Sequence, residues 1–185
     1  MNAVRTKVTR GDARSDTDLL GLTHLGDREA LGALYDRHAQ SVFAFARRLT
    51  QREDAEDVVQ ATFLRIAEIA GSYDDRSLSA RAWIFGVAYR IVRERRRSLH
   101  RLLEVLRRYA ERESARSVSP SAGAHDLERA LAALAEPKRV VLLLTELHGL
   151  SCEEVARTLD VPIGTVWTRL HHARREMRAL LQETP

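Results

Sequence analysis

The chain is 185 residues long and 44% hydrophobic, enough to bury the core of one medium domain or two small ones. Aromatics make up 5% and prolines number four, which favours an all-helical fold over a β-sandwich. A net charge of +4 and a pI near 9.7 agree with a polyanionic partner, and no run of about 18 apolar residues is present to cross a membrane.

Met1 to Ser15 is polar, basic and aperiodic, and reads as a disordered tail. No apolar run follows its charges, so no signal peptide is expected. Asp16 or Thr17 caps a short helix through Leu25, which Gly26 ends. Asp27 caps a longer helix with apolar residues at Leu31, Leu34, Tyr35, Val42, Phe45, Ala46 and Leu49, a 3.6-residue period. After a turn at Thr50–Arg52, a third helix runs from Glu53 to Ala70. Its stripe is Ala55, Val58, Val59, Thr62, Phe63, Ile66 and Ile69. The polar loop GSYDDRSLS then leads to a fourth helix from Ala80, whose apolar face is Trp83, Ile84, Val87, Ala88, Ile91 and Val92.

From Arg93 the pattern gives way to charges of alternating sign, which can carry a solvated helix to about Glu113. Ser114 to Ala124 is small and polar and reads as a linker. Beyond His125, helices are expected at Asp126–Ala135, Pro137–Leu147, Cys152–Leu159 and Ile163–Leu181, with Pro137 in a first turn and Gly149 at a C-terminal cap. The architecture is therefore two small helical bundles joined by a flexible charged linker. The lone cysteine, Cys152, excludes an internal disulfide and a cysteine-rich zinc site, as in a reducing cytoplasm.

The segment from Gly149 to Leu181 reads as a helix-turn-helix. Ser151 and Glu154 form a capping box at the first helix, where Val155, Ala156 and Leu159 face inward. Asp160 stands where the turn calls for a left-handed residue. The second helix buries Val166, Leu170, Ala173, Met177 and Leu181. Its other face carries Thr165, Trp167, Thr168, Arg169, His171, His172, Arg174 and Arg175. The first residues of such a helix reach base edges and later basic ones meet phosphate. The competing reading is an amphipathic hairpin with a solvated basic face; an exposed Trp167 argues against it, since a large aromatic on a polar face wants a partner. Metal binding by His171 and His172 is not expected, because adjacent helical positions diverge by about 100°.

In the third helix Glu53, Asp54, Glu56 and Asp57 precede Gln60. Acidic residues in a first turn complement the helix dipole, so as a docking patch they stand or fall with other evidence. The run Arg93, Arg95, Arg96, Arg97 equally suits a solvated helix end. Lysine occurs only at Lys7 and Lys138. Arginine suits phosphate and guanine, yet codon usage in a GC-rich genome gives the same skew.

Taken in order, Leu34–Ile66 (LYDRHAQSVFAFARRLTQREDAEDVVQATFLRI), Ala80–Arg97 and Leu131–Arg174 resemble the extracytoplasmic-function (ECF) sigma factors, the small two-domain class of bacterial transcription initiation factors. The segments DAEDVVQ and GTVWTRLHHAR carry the most specific part of the likeness. The resemblance implies a region 2 domain at 16–98, a linker at 99–124 and a region 4 domain at 125–185. It implies that Asp54, Glu56, Asp57 and Gln60, with Arg65 beside them, bind the clamp of RNA polymerase. It implies minus-ten recognition and melting by Tyr73, Asp74, Arg76 and Ser77, whose loop offers a pocket to a flipped-out base. Arg81, Arg90, Arg93, Arg96 and Arg97 would meet the strand and its phosphates, while Trp83 packs. Thr165, Thr168, Arg169 and His172 would read the minus-thirty-five element. RNA polymerase core, promoter DNA and an anti-sigma factor are the implied partners, with no cofactor, metal or small-molecule substrate.

This chain departs from its resemblance at Trp167, where lysine or arginine is common and stacking on a sugar or methyl group is the alternative contact. It departs again at Asp160, where glycine is usual. A sigma mimic that only sequesters an anti-sigma factor would lose the basic faces kept here. A stand-alone dimeric regulator would need a spare apolar surface. An enzyme would need a nucleophile, metal or phosphate-cradle motif, and none is found.

Overall fold

A computed structural model describes residues 13–109 and 126–182. The tail before residue 13 and the expected linker residues from 114 to 124 lie outside them. Every regular element among the described residues is helical.

The first bundle comprises α1 (Asp16–His24), α2 (Arg28–Arg47), α3 (Arg52–Ile69) and α4 (Ala80–Tyr109), with a 3₁₀ turn at Ala70–Ser72. Ser15, rather than Asp16 or Thr17, caps α1: its hydroxyl accepts from the Asp18 amide while the Asp18 carboxylate takes the Ser15 amide. This reciprocal pair satisfies two orphan donors, which a cap one residue later would leave open. Asp27 caps α2 as expected, accepting from Glu29 and Ala30. Asp16 then pins α1 to α2, taking Arg37 and His38 at 2.7 Å each. Burial raises its pKa, but those two partners outweigh it and hold the carboxyl below its ordinary value.

The interior is filled by Leu19, Leu20, Leu34, Phe45, Val58, Ile66 and Ile84, all essentially without solvent contact. Tyr35, expected on the buried stripe, is instead exposed and touches Phe63 edge-on. At the 3₁₀ turn the exposed His24 ring of α1 lies over Gly71, 2.5 Å from where a Cβ would stand, so a larger residue there would displace the ring.

The second bundle comprises α5 (Asp126–Ala133), α6 (Glu136–Leu142), α7 (Cys152–Leu159) and α8 (Ile163–Gln182). After Leu142 the helix widens into a π turn, Leu143–Leu147, in which the His148 amide reaches back to the Leu143 carbonyl at 3.1 Å. Such an expanded turn re-aims the residue that closes it. Gly149, at φ 67°, reverses the chain. Arg139 donates to the Ala132 and Leu134 carbonyls at the end of α5, at 2.6 and 2.9 Å. Leu181 was expected to be buried but is 42% exposed, because the last turn of α8 runs past the body of the bundle.

The bundles pack on each other, with α7 lying against α4. Six of the seven residues from Ala82 to Ala88 are consequently buried, Trp83 being half-buried. A helix apolar on all sides is one covered on more than one side. No helix among the described residues is long and apolar enough to cross a membrane.

Candidate nucleic-acid interface

The helix-turn-helix is assembled by local rules. Ser151 and Glu154 complete the capping box at 3.1 and 3.0 Å. Asp160 takes the left-handed conformation, φ 54° and ψ 54°, and the turn delivers Pro162, whose carbonyl receives the Thr165 amide at 2.9 Å. Glycine has no Cβ penalty at such a position. Relief of the left-handed penalty is set against the entropy that glycine adds to the unfolded chain, so Asp160→Gly is expected to raise stability by no more than about 0.5 kcal/mol, read from urea denaturation; a clear loss of stability would show that the aspartate is not strained.

Val166, Leu170, Ala173 and Met177 hold α8 to the bundle. With 100° per residue, the face opposite them carries Thr168, His171, His172 and Arg175. Trp167, 56% exposed, and Arg174 flank this face on one side; Thr165 and Arg169 flank it on the other, half-buried. Two groups are already engaged. The Thr168 hydroxyl donates to the Gly164 carbonyl at 2.9 Å, and the Arg174 guanidinium is held by Glu146, with Nε at 3.0 Å. His171 and His172 meet edge-on, their centroids 5.6 Å apart. Among the described residues no group of three His, Cys, Asp or Glu could hold a metal ion.

On α3, Asp54, Glu56, Asp57 and Gln60 are all exposed. Helical geometry gathers Glu56, Asp57 and Gln60 into one stripe, with Asp54 to its side. Leu64 continues the stripe and is 68% exposed, a residue that the apolar pattern alone does not single out. Asp57 accepts from Arg95 at 3.2 Å. Arg65 pairs with Glu68 at 3.1 Å and shares a cleft of about 230 Å³ with Ile69, Val87, Arg90, Ile91 and Glu94, which sets it beside α4 and away from the acidic stripe.

The loop before α4 is tightly knit. Asp74 accepts from the Arg76 amide at 3.1 Å and from the Ser77 hydroxyl, through its carbonyl, at 2.9 Å. The Tyr73 ring packs edge-on against Trp83, centroids 5.6 Å apart, and its hydroxyl lies 3.3 Å from that of Thr17. Trp83 thus packs as expected, and it takes Tyr73 with it. Arg90, Arg93 and Arg97 share the outer face of α4, all exposed, with Arg93 over the Tyr89 ring. Arg81 points the other way, over Phe85, and Arg96 pairs with Glu136 of α6.

Polar groups at the seam between the bundles escape a reading of either bundle alone. Ser79 caps α4, accepting from the Ala82 amide at 3.3 Å, and also donates to Glu154 of α7. Burial raises the Glu154 pKa, but bonds from Ser79 and Ser151 and the nearby Arg157 charge outweigh it and hold the carboxyl below its usual range. His148, 4% exposed, lies against Phe85 and Phe45 with ring centroids 4.3 and 5.8 Å away.

Residues 34–102 match the sigma-70 region 2 family and residues 124–177 the sigma-70 region 4 family. The ECF RNA polymerase sigma factor SigL of Mycobacterium tuberculosis is 36% identical over 157 residues, 82% of this chain and 88% of that one. SigM of the same organism is 32% identical over 179 residues, 91% of this chain and 85% of that one. Among solved structures, CnrH in complex with the cytosolic domain of CnrY aligns with a TM-score of 0.68 at 25% identity, covering 92% of this chain and 99% of that one. The sigma factor RpoE of Bartonella quintana, in complex with the anti-sigma factor NepR, aligns with a TM-score of 0.62 at 25% identity, over 82% and 96%.

Proposed function

The chain belongs to the ECF sigma factors, and from that premise we propose how its surfaces divide the work of an RNA polymerase sigma factor. The observation that carries the reading is the face of α8 presented behind a fully capped turn. Its solvent side offers hydrogen-bonding, aromatic and cationic groups, while its other side is fixed by four buried residues. In this reading the second bundle, 125–185, docks α8 in the major groove of the minus-thirty-five element. Thr165, Trp167, Thr168, Arg169, His171 and His172 lie over the bases, and Arg174 and Arg175 lie toward phosphate.

The first bundle, 16–98, meets core polymerase through Asp54, Glu56, Asp57 and Gln60, with Leu64 as an apolar anchor among them. Its loop from Tyr73 to Ser79 faces the melted minus-ten strand, with Asp74, Arg76 and Ser77 supplying hydrogen bonds. Tyr73 shapes the loop through its contact with Trp83. Arg90, Arg93 and Arg97 follow the phosphates, an electrostatic contribution that makes binding salt-dependent. Arg65 joins them through the shared cleft. Arg81 and Arg96 contribute only after leaving their present partners. An anti-sigma factor is the expected regulator, and the site of action is the cytoplasm, where polymerase and promoter are. The protein lends specificity and strand opening to polymerase and is not itself an enzyme.

The test is transcription by sigma-free core polymerase supplemented with this protein on sheared genomic DNA of its host. Start sites that share two spaced upstream motifs are the expected result; failure to bind core would remove the reading. Within the same assay, Arg169→Ala is expected to weaken promoter binding by about 1–3 kcal/mol and relax base preference at one upstream position. Equal weakening on all sequences would assign Arg169 to phosphate instead.

A further inference from the structure

We propose that the first turn of α8 carries a socket for the 5-methyl group of thymine, walled by Trp167 and Thr168 and floored by the backbone of Gly164. The proposal rests on the promoter reading above and deepens it, naming the base-edge group that this end of the helix recognises. Gly164 lies three residues before Trp167 and four before Thr168, so all three share one side of the helix. Helical side chains lean toward the N-terminus, over the turn before their own Cα. Trp167 and Thr168 therefore lean toward Gly164 from two sides. A Cβ built on Gly164 would meet no atom within 4 Å, so the space above the glycine is open.

The walls of this socket are apolar. Thr168 commits its hydroxyl hydrogen to the Gly164 carbonyl at 2.9 Å, which leaves its methyl as the group it offers to a partner. Trp167 is 56% exposed, and removing that ring surface from water is favourable. Pro162, just before the helix, is exposed as well and brings no backbone donor. An apolar opening at the tip of an otherwise polar and cationic face selects an apolar occupant.

Duplex DNA narrows that occupant to one group. Base faces are stacked on one another in the intact duplex, so an indole on α8 meets only base edges. In the major groove those edges carry hydrogen-bond donors, acceptors and a single apolar group, the thymine methyl. Burying one methyl raises affinity roughly fourfold. Other roles for Trp167 differ in their consequences. Donation from the indole Nε1 to a guanine would be indifferent to the methyl, and packing on a sugar would be indifferent to the base.

The test removes the methyl and nothing else. A promoter duplex recovered in the transcription assay above is made with thymine, and again with uracil throughout its upstream element. Full-length protein on core polymerase is titrated with both. Wild type is expected to bind the uracil duplex more weakly, by roughly threefold or more. Trp167→Ala should bind the two duplexes equally, and the exposure of the ring leaves the fold intact without it. Trp167→Phe keeps an apolar wall without the N–H and should retain the discrimination. Gly164→Ala fills the socket without a clash and should lose the discrimination with unchanged helical circular dichroism. Equal binding of both duplexes by wild type would overturn the proposal, as would discrimination that survives in Trp167→Ala. An upstream element with no thymine on either strand would overturn it as well. Failure of wild type to bind either duplex would remove the promoter reading, and the socket with it, which keeps the two failures distinct.

Discussion

Replacing Phe85 with alanine is expected to cost about 3–5 kcal/mol of folding stability, the range for deleting a buried phenyl ring. The ring is 1% exposed. It meets Phe45 within its own bundle, at 5.4 Å and 71°, and His148 of the other bundle at 4.3 Å. Edge-to-face partners add to the loss beyond the area they bury. Because the cavity would open between two bundles, neighbouring helices cannot collapse into it from one side alone. Phe85→Leu keeps most of the volume and is expected to cost less than about 2 kcal/mol. Urea denaturation of the two variants checks the pair. A loss below about 1 kcal/mol for alanine would mean the ring is not part of a packed core.

The second large effect is a loss of stability in mild acid through His148. Burial, then the charges of Arg81 on α4 and Arg48 at the end of α2, push its pKa down from 6.5 to about 4. The folded chain thus prefers the neutral ring, while the unfolded chain takes up a proton near pH 6.5. Between these values the unfolded state holds more protons, so stability rises with pH. The contribution is complete above about 6.5 and disappears as pH falls toward 4.

Between pH 7.5 and 5 the expected loss is about 2 kcal/mol. Asp16 and Glu154 act in another window: their carboxyls titrate below 3.8 and 4.5 respectively, so their contribution is lost only in stronger acid. His148→Leu should flatten stability between pH 5 and 7.5. The His148 Nε2 is buried without a hydrogen-bond partner, so leucine leaves no orphaned polar group and stability at pH 7.5 should be equal or higher. An unchanged pH slope in the leucine variant would exclude His148 as the titrating group.

Features governed by neighbours in the chain were legible in the sequence. Ser151 with Glu154 announced a helix start, Asp160 a left-handed turn, and Asp27 a cap, because each acts over three or four residues. The α3 stripe from Ala55 to Ile66 was equally plain, since burial on one side writes a 3.6-residue period. Contacts between distant segments leave no such trace. Thr158 and His148 look like ordinary polar residues of a motif and a turn; only the approach of α4 shows that both are buried. The run from Ala82 to Ala88 did carry a signal, being apolar on every side, but reading one face per helix assigned it to a single bundle. The packing of Tyr73 on Trp83, ten residues away, leaves no trace in the sequence, and Leu64 goes unremarked because an exposed leucine interrupts no pattern.

Glu154 leads to a consequence for how this protein can change. One carboxylate completes the start of α7 and also receives Ser79 from the other bundle. Its substitution is therefore pleiotropic: a single replacement touches both the integrity of the helix-turn-helix and the contact between the two bundles. Aspartate serves as a helix-start acceptor, yet its shorter arm falls back from Ser79. Arg157 and Thr158 reach the Ser77 and Ala82 carbonyls without taking part in the cap, so a change at either touches the seam alone.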